Sequence, residues 1–166
     1  EGRAVFDNIQ KFMTYILTSN IPEVVPYLAY ALFAIPLPLT VVQILAVDLG
    51  TDMLPALALG GEPPREGVMR RPPRSPKQRL LDGALLSRAY LFLGPLEALA
   101  GMAAFFFVLH GGGWISGRLG PTQLLYREAT TACLGAIVIT QVVNVFLCRS
   151  PRDGVAAYGF RGNPLL

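Results

Sequence analysis

Five oxygen-bearing side chains stand among apolar neighbours near the start of the chain: Asn20, Glu23, Asp48, Thr51 and Asp52. Asn20 and Glu23 are three residues apart, and Asp48 and Asp52 are four apart, so on helices each pair shares one face. Three carboxylates in one small volume repel each other unless a cation or protons neutralise them. Oxygen-only donors suit hard cations such as Ca²⁺ and Mg²⁺, and by the same reasoning Na⁺ and K⁺. No His or Cys lies at this level, which argues against a soft transition metal. The backbone is prepared as well. Pro22 has no N–H and frees the carbonyl of Thr18, Pro26 frees that of Pro22, and Pro55 frees that of Thr51. Gly50, between the two aspartates, loosens the helix where a ligand stretch would open. Irregular backbone of this kind is tolerated at membrane depth where it lines a cavity, and broken helices form ion sites in transporters.

The elements that must position these residues are long and apolar. Of 166 residues, 52% are hydrophobic and 15% charged, against about 25% charged in an average soluble domain; the mean hydropathy is +0.46. Four segments are long enough to cross a bilayer, which takes about 20 helical residues. They run roughly over 12–35, 39–59, 86–109 and 129–147. The predicted fold is therefore an all-α membrane protein, a bundle of four transmembrane helices. A helix of this length in a soluble protein should show a polar face at the 3.6-residue period, and Ala98 to Leu109 shows none.

Further polar residues fall inside these spans: Thr18 and Ser19 in the first, Glu97 in the third, and Thr140, Gln141 and Asn144 in the fourth. An ionisable group at mid-membrane costs about 2.5–3.5 kcal/mol and usually faces a transport path. At about 1.5 Å per residue from the outer end of each span, Glu23, Glu97 and Gln141 lie roughly 18 Å deep, Asp48 roughly 14 Å and Asp52 roughly 20 Å. Four helices thus place oxygen-bearing side chains in one layer, which points to a shared site. From spacing alone, Gln141 and Asn144 fit either a ligand role or interhelical hydrogen bonding, and Glu97 reads as a structural residue.

Positive charge sets the orientation, because Lys and Arg accumulate on the cytoplasmic side. The link over 60–87 holds Arg65, Arg70, Arg71, Arg74, Lys77 and Arg79, with Arg88 just after it. Arg3 and Lys11 stand near the start, and Arg149, Arg152 and Arg161 near the end. The other links hold only Arg118 and Arg127. Both ends and the basic loop are expected in the cytoplasm, with Trp114 and Tyr126 near the outer interface. Cys133 and Cys148 form no metal-ligand spacing and read as packing residues. The chain starts at Glu1 without Met and stops after Leu166 as though another apolar segment were beginning, so both ends look cut.

Thr18-Ser19-Asn20-Ile21-Pro22-Glu23, then Pro36-Leu37-Pro38-Leu39, then Val47-Asp48-Leu49-Gly50-Thr51-Asp52-Met53 resembles the fifth and sixth membrane helices of type II P-type cation ATPases. The sodium/potassium-pump branch is most similar, with the calcium pumps as cousins. Glu62-Pro63-Pro64 and Met69-Arg70-Arg71-Pro72-Pro73-Arg74-Ser75-Pro76-Lys77 look like the cytoplasmic loop that follows, and a weaker likeness runs on through the seventh and eighth helices. The resemblance implies that residues 1–166 are the C-terminal transmembrane region of a ten-helix transport domain. It implies cation ligands at Asn20, Glu23, Asp48, Thr51 and Asp52, the last three on an unwound stretch, and further polar positions at Tyr15, Ser19, Gln141 and Asn144. Asp48, Pro22 and Gln141 stand where calcium pumps carry Asn, Gly and Glu, which leans toward the sodium/potassium-like group. The cation stays open among Na⁺, K⁺ and Ca²⁺.

Members of the family hydrolyse ATP at an Asp-Lys-Thr-Gly aspartate, and neither that motif nor a Gly-x-x-x-x-Gly-Lys-Ser/Thr loop occurs here. The resemblance therefore implies no cofactor in this segment, with Mg²⁺ and ATP used by the rest of the pump, and no ATP hydrolysis by the segment alone. Expected partners are the lipid bilayer and the remaining helices and cytoplasmic domains of the same pump, with no nucleic acid; the expected location is the plasma membrane. Two other readings fit four apolar helices: a stand-alone tetraspan regulator or scaffold for another membrane protein, and a passive cation channel made by oligomerisation.

Overall fold

The computed structural model describes residues 2–64, 79–117, 119 and 123–149. Arg65, Arg70, Arg71, Arg74, Lys77, Arg118, Arg152 and Arg161, used above for orientation, lie outside the described residues. Among those described there are four helices and no strand. The first helix spans Gly2–Phe33, the second Val41–Gly60, the third Gly83–Gly111 and the fourth Leu124–Arg149. The last three are long and apolar enough to cross a membrane. The first is interrupted at its centre by Thr18, Ser19, Asn20, Pro22, Glu23 and Pro26, so its apolar character is weaker where its chemistry is concentrated.

Local sequence explains the ends. The first helix stops where Ala34 takes a left-handed φ of 51°, and Pro36 and Pro38 prevent its continuation. Thr40 then caps the second helix. Its hydroxyl accepts from the Gln43 N–H at 3.4 Å, and the Gln43 side chain accepts from the Thr40 N–H at 2.9 Å, a reciprocal capping box. Asp82 caps the third helix by accepting from the Leu85 N–H at 2.7 Å.

The second and third helices each contain one widened turn. Residues Asp48–Asp52 and Arg88–Leu93 are π-helical: the Met53 N–H reaches back to the Asp48 carbonyl, and that of Gly94 to the Ala89 carbonyl. Both lie just before a proline, Pro55 and Pro95. A proline ring clashes with the carbonyl four residues earlier and gives it no donor. Widening the preceding turn accommodates the ring without breaking the helix. The first helix passes through Pro22 and Pro26 as continuous α-helix, with Thr18 and Ser19 hydroxyls donating to the Thr14 carbonyl at 2.8 Å and the Tyr15 carbonyl at 3.1 Å.

The third helix packs most extensively on the fourth, and the first lies against the third and the second. One apolar cluster contains Leu39, Val47, Phe105, Leu109, Ala129, Cys133 and Ile137. A second contains Tyr15, Ala56, Leu59, Leu93, Val145 and Cys148. Both cysteines are free and buried. Helices in lipid gain little from apolar burial against one another and rely on close packing and interhelical hydrogen bonds. Two glycines on the third helix permit that approach. A Cβ on Gly94 would stand 2.6 Å from Ile21 Cγ1, and one on Gly101 would stand 2.9 Å from Ile137 Cγ1. Val42, Leu49 and Leu57 of the second helix, Leu91 and Phe107 of the third and Ile139 of the fourth are exposed, an apolar exterior suited to acyl chains. At the end of the bundle near the third-to-fourth link, the Trp114 indole donates to the Gly117 carbonyl at 3.0 Å. Tyr126, expected near the interface, is buried.

Candidate cation site

Between the two apolar clusters lies a polar layer. Carboxylate oxygens of Glu23, Asp48 and Asp52 all come within 4.8 Å of one another. The first helix supplies Glu23, and the widened turn of the second supplies the two aspartates. Asp52 is buried, whereas Glu23 and Asp48 are half-buried. The aspartates face the same way because they stand at either end of the widened turn.

The turn differs from the unwound stretch that the resemblance implied. It stays hydrogen-bonded, as a π-helix, and the Thr51 carbonyl, which Pro55 leaves without a helical donor, accepts from the Tyr15 hydroxyl. Tyr15 is fully buried, so it fixes the second helix against the first just beside the carboxylates. The Thr51 hydroxyl lies within hydrogen-bond reach of both the Val47 carbonyl and Gln141 Oε1. Gln141 Nε2 donates to Asp52 Oδ1 at 2.9 Å. Gln141 is 0% exposed, and it is the direct tie from the fourth helix to the carboxylates.

Ser19 is buried beside Asp52. Asn20 shares the helix face of Glu23 but is exposed. The buried stripe of the first helix runs through Lys11, Tyr15, Thr18, Ser19, Pro22 and Pro26, and Asn20 falls off it while Glu23 lies on its edge. Asn144 is buried, and its Oδ1 accepts from the Cys148 thiol at 3.4 Å. Glu97 is 4% exposed and lies next to Asn144. Among the described residues, neither Glu97 oxygen, nor Asn144 Nδ2, nor Glu23 Oε1 has a hydrogen-bond partner. Polar groups this well covered are ordinarily satisfied, so the layer has unused coordinating capacity as well as charge.

A chain of this composition with a three-carboxylate cluster at membrane depth has relatives. The family described as "Cation transporting ATPase, C-terminus" matches residues 36–166. The sodium/potassium-transporting ATPase subunit alpha-3 of Rattus norvegicus is 34% identical over 192 aligned residues, covering 100% of this chain and 19% of its own length. The alpha-1 subunit of Catostomus commersonii is 35% identical over the same coverage, and the alpha-2 subunit of Gallus gallus 34%. The chain belongs to the type II P-type cation ATPases. It spans 19% of the length of these relatives and corresponds to the C-terminal membrane region of such an ATPase. A multi-pass integral membrane protein of a cation-transporting family accounts for the apolar exterior and the polar interior layer together.

One polar group was read from the sequence only as part of a loop motif and a charge bias. Lys11, Glu62 and Arg149 form a buried ionic cluster at the end of the bundle. Their spacing along the chain is too wide for any local pattern to signal it.

Proposed function

We propose that this chain is the ion-carrying membrane portion of a P-type pump that couples ATP hydrolysis to active transport of Na⁺, K⁺ or Ca²⁺. The observation that carries the reading is the convergence of Glu23, Asp48 and Asp52 within 4.8 Å inside a bundle built to sit in lipid. Three carboxylates that close favour two divalent ions, or several monovalent ions with protons. Thr51 and Asn20 add neutral oxygens, and Tyr15, Ser19, Gln141 and Asn144 line or brace the same layer. The named activity of the relatives, sodium/potassium transport, favours the monovalent case. ATP and Mg²⁺ act on the rest of the pump, and the segment by itself neither hydrolyses ATP nor binds ions tightly. Both ends and the basic loop face the cytoplasm, and the membrane is the plasma membrane.

The test is cation-activated phosphorylation and ATPase activity of the full-length protein, titrated with Na⁺, K⁺, Ca²⁺ and Mn²⁺, for the wild type and Glu23→Gln. One or more of the first three should activate the wild type, and the variant should need more of it. Identical activation curves for the two would remove the trio from the transport path.

Gln141→Leu makes a second test. The substitution roughly keeps the volume but removes the Gln141 amide from both Asp52 and Thr51. Groups that orient ligands typically contribute about 10- to 100-fold to ion affinity, so half-activation should shift by that factor. An unshifted curve would make Gln141 a packing contact only.

A further inference from the structure

Glu97 of the third helix stands outside the carboxylate trio and is enclosed more deeply than its members, at 4% exposed against 6% for Asp52. The third helix turns Gly94, Glu97, Ala98, Gly101, Phe105 and Leu109 inward. Gly94 lies against Ile21 of the first helix, and Gly101 against Ile137 of the fourth. Glu97 falls between these two close approaches, so its side chain is confined to a slot where the first, third and fourth helices meet.

An inward position between packed membrane helices ordinarily takes a small or apolar residue, or a polar one with partners. Among the described residues, neither Glu97 oxygen has a hydrogen-bond partner. Asn144 of the fourth helix lies next to it, is 2% exposed, and has an unpartnered Nδ2. Asn144 Oδ1 holds only the Cys148 thiol, a weak donor, at 3.4 Å. Turning that amide about its last bond presents its oxygen to the slot instead. The titratable groups that face Glu97 are Tyr15 from the first helix, Asp52 from the second and Cys148 from the fourth. None of these brings a positive charge, and the Tyr15 hydroxyl is committed to the Thr51 carbonyl. Arg88, on the same helix, stands about 13 Å back along the axis and donates to the Leu147 carbonyl at 3.0 Å. A buried carboxylate is costly unless a positive charge meets it. The four helices enclose Glu97 by themselves, so that charge has to enter the slot and cannot pack on the outside of the bundle. Two carboxylate oxygens and an amide oxygen suit a hard cation. A single carboxylate is balanced by one positive charge, whereas a divalent ion would leave a charge uncompensated.

We propose that Glu97 is a cation ligand supplied by the third helix, and that with Asn144 it forms a position for a single alkali cation beside, and distinct from, the one built by Glu23, Asp48 and Asp52. This rests on the pump reading above and adds a position to it.

The experiment counts cations bound at equilibrium by the purified full-length protein, using radiolabelled Na⁺, and Rb⁺ in place of K⁺. Glu97→Gln keeps the shape and removes the charge, which should weaken this position about a hundredfold. At a concentration that just saturates the wild type, the variant should therefore bind about one alkali cation fewer per folded protein, while the cations that remain keep their affinity within about threefold. A merely structural role would lower the yield of folded protein and leave the count per protein unchanged, and an unchanged count with both ions would overturn the proposal. A variant that loses bound Ca²⁺ but neither Na⁺ nor Rb⁺ would overturn it as well. Should Glu97→Gln fail to accumulate, Glu97→Asp replaces it. It keeps the charge but withdraws it by one methylene, so the weakest-bound cation should need about tenfold more for half-saturation; an isotherm identical to wild type would overturn the proposal. Cation-dependent phosphorylation of the wild type is measured alongside. Its absence defeats the pump reading, whereas an unchanged cation count in a protein that is phosphorylated normally defeats the Glu97 position alone.

Discussion

Asp52→Asn is expected to raise the cation concentration for half-maximal activation of the full-length protein by roughly a hundredfold. Asp52 is the most enclosed member of the trio, at 6% exposed. Asparagine keeps its shape, and its amide oxygen still accepts from Gln141, so the substitution isolates the charge. Removing one partner of a buried charge pair costs about 3–5 kcal/mol, and a bound cation is the partner here. The sign of the effect on the cation-free protein is opposite. With one carboxylate fewer, the mutual repulsion within 4.8 Å falls, so the ion-free protein should melt at a higher temperature than wild type. Affinity down and ion-free stability up is a signature that a simple packing defect does not produce. A variant that loses both together would place Asp52 in the scaffold and not in the ion path. Glu23→Gln should change both quantities less, because Glu23 is only half-buried and its charge is better screened.

Gly94→Ala is expected to cause the largest loss of stability among single added methyl groups on the third helix. The new Cβ would meet Ile21 Cγ1 at 2.6 Å, Ile21 Cβ at 2.7 Å and the Ala89 carbonyl at 2.9 Å. Two of these atoms cannot swing aside: the branched Cβ of an isoleucine and a backbone carbonyl inside a π-turn. The helices must separate, and overpacking of this kind costs about 1–3 kcal/mol. Ile21 stands between Asn20 and Glu23, so the displacement also carries Glu23 away from the aspartates. Gly101→Ala should cost less, since its nearest contacts are the Ile137 side-chain atoms Cγ1 at 2.9 Å and Cδ1 at 3.2 Å. Gly112→Ala should cost least. Its 2.2 Å contact is with Leu125 Cδ1, the far end of a flexible side chain, and Gly112 has an ordinary φ of −84°. Thermal unfolding of the three variants in detergent checks the order, and Gly112→Ala proving the most damaging would refute the steric reading.

The sequence by itself pointed to the solvent, to the four helices and to the candidate ligand residues. Apolar runs without a polar face can be stable only in lipid or in a large core. Pro36 and Pro38 end one helix and start the next through constraints internal to the chain. Asp48 and Asp52 share a face at any helical pitch near four residues per turn, so their pairing was legible from spacing. The consequence of Pro55 was legible only in part. That the helix must yield before it follows from local sterics, but yielding as a hydrogen-bonded π-turn depends on Tyr15 taking the Thr51 carbonyl, a contact between residues 36 apart.

Only the tertiary structure decided how each helix is rotated about its own axis. Where a helix is apolar nearly all round, as the third is, its periodicity names no inward face. Glu97 was placed in depth by the sequence but not in the direction it faces; it is buried beside Asn144, and among the described residues neither of its oxygens has a hydrogen-bond partner. Asn20 shares a face with Glu23 by spacing, yet exposure separates them, because the stripe that packs is set by the neighbouring helices. Gln141 fitted two roles until its bond to Asp52 placed it against the carboxylates. Lys11 and Arg149 were readable as topology charges and Glu62 as part of a loop motif, but their convergence joins residues 51 and 87 apart. Such pairings are fixed by how the rods pack, which no local pattern encodes.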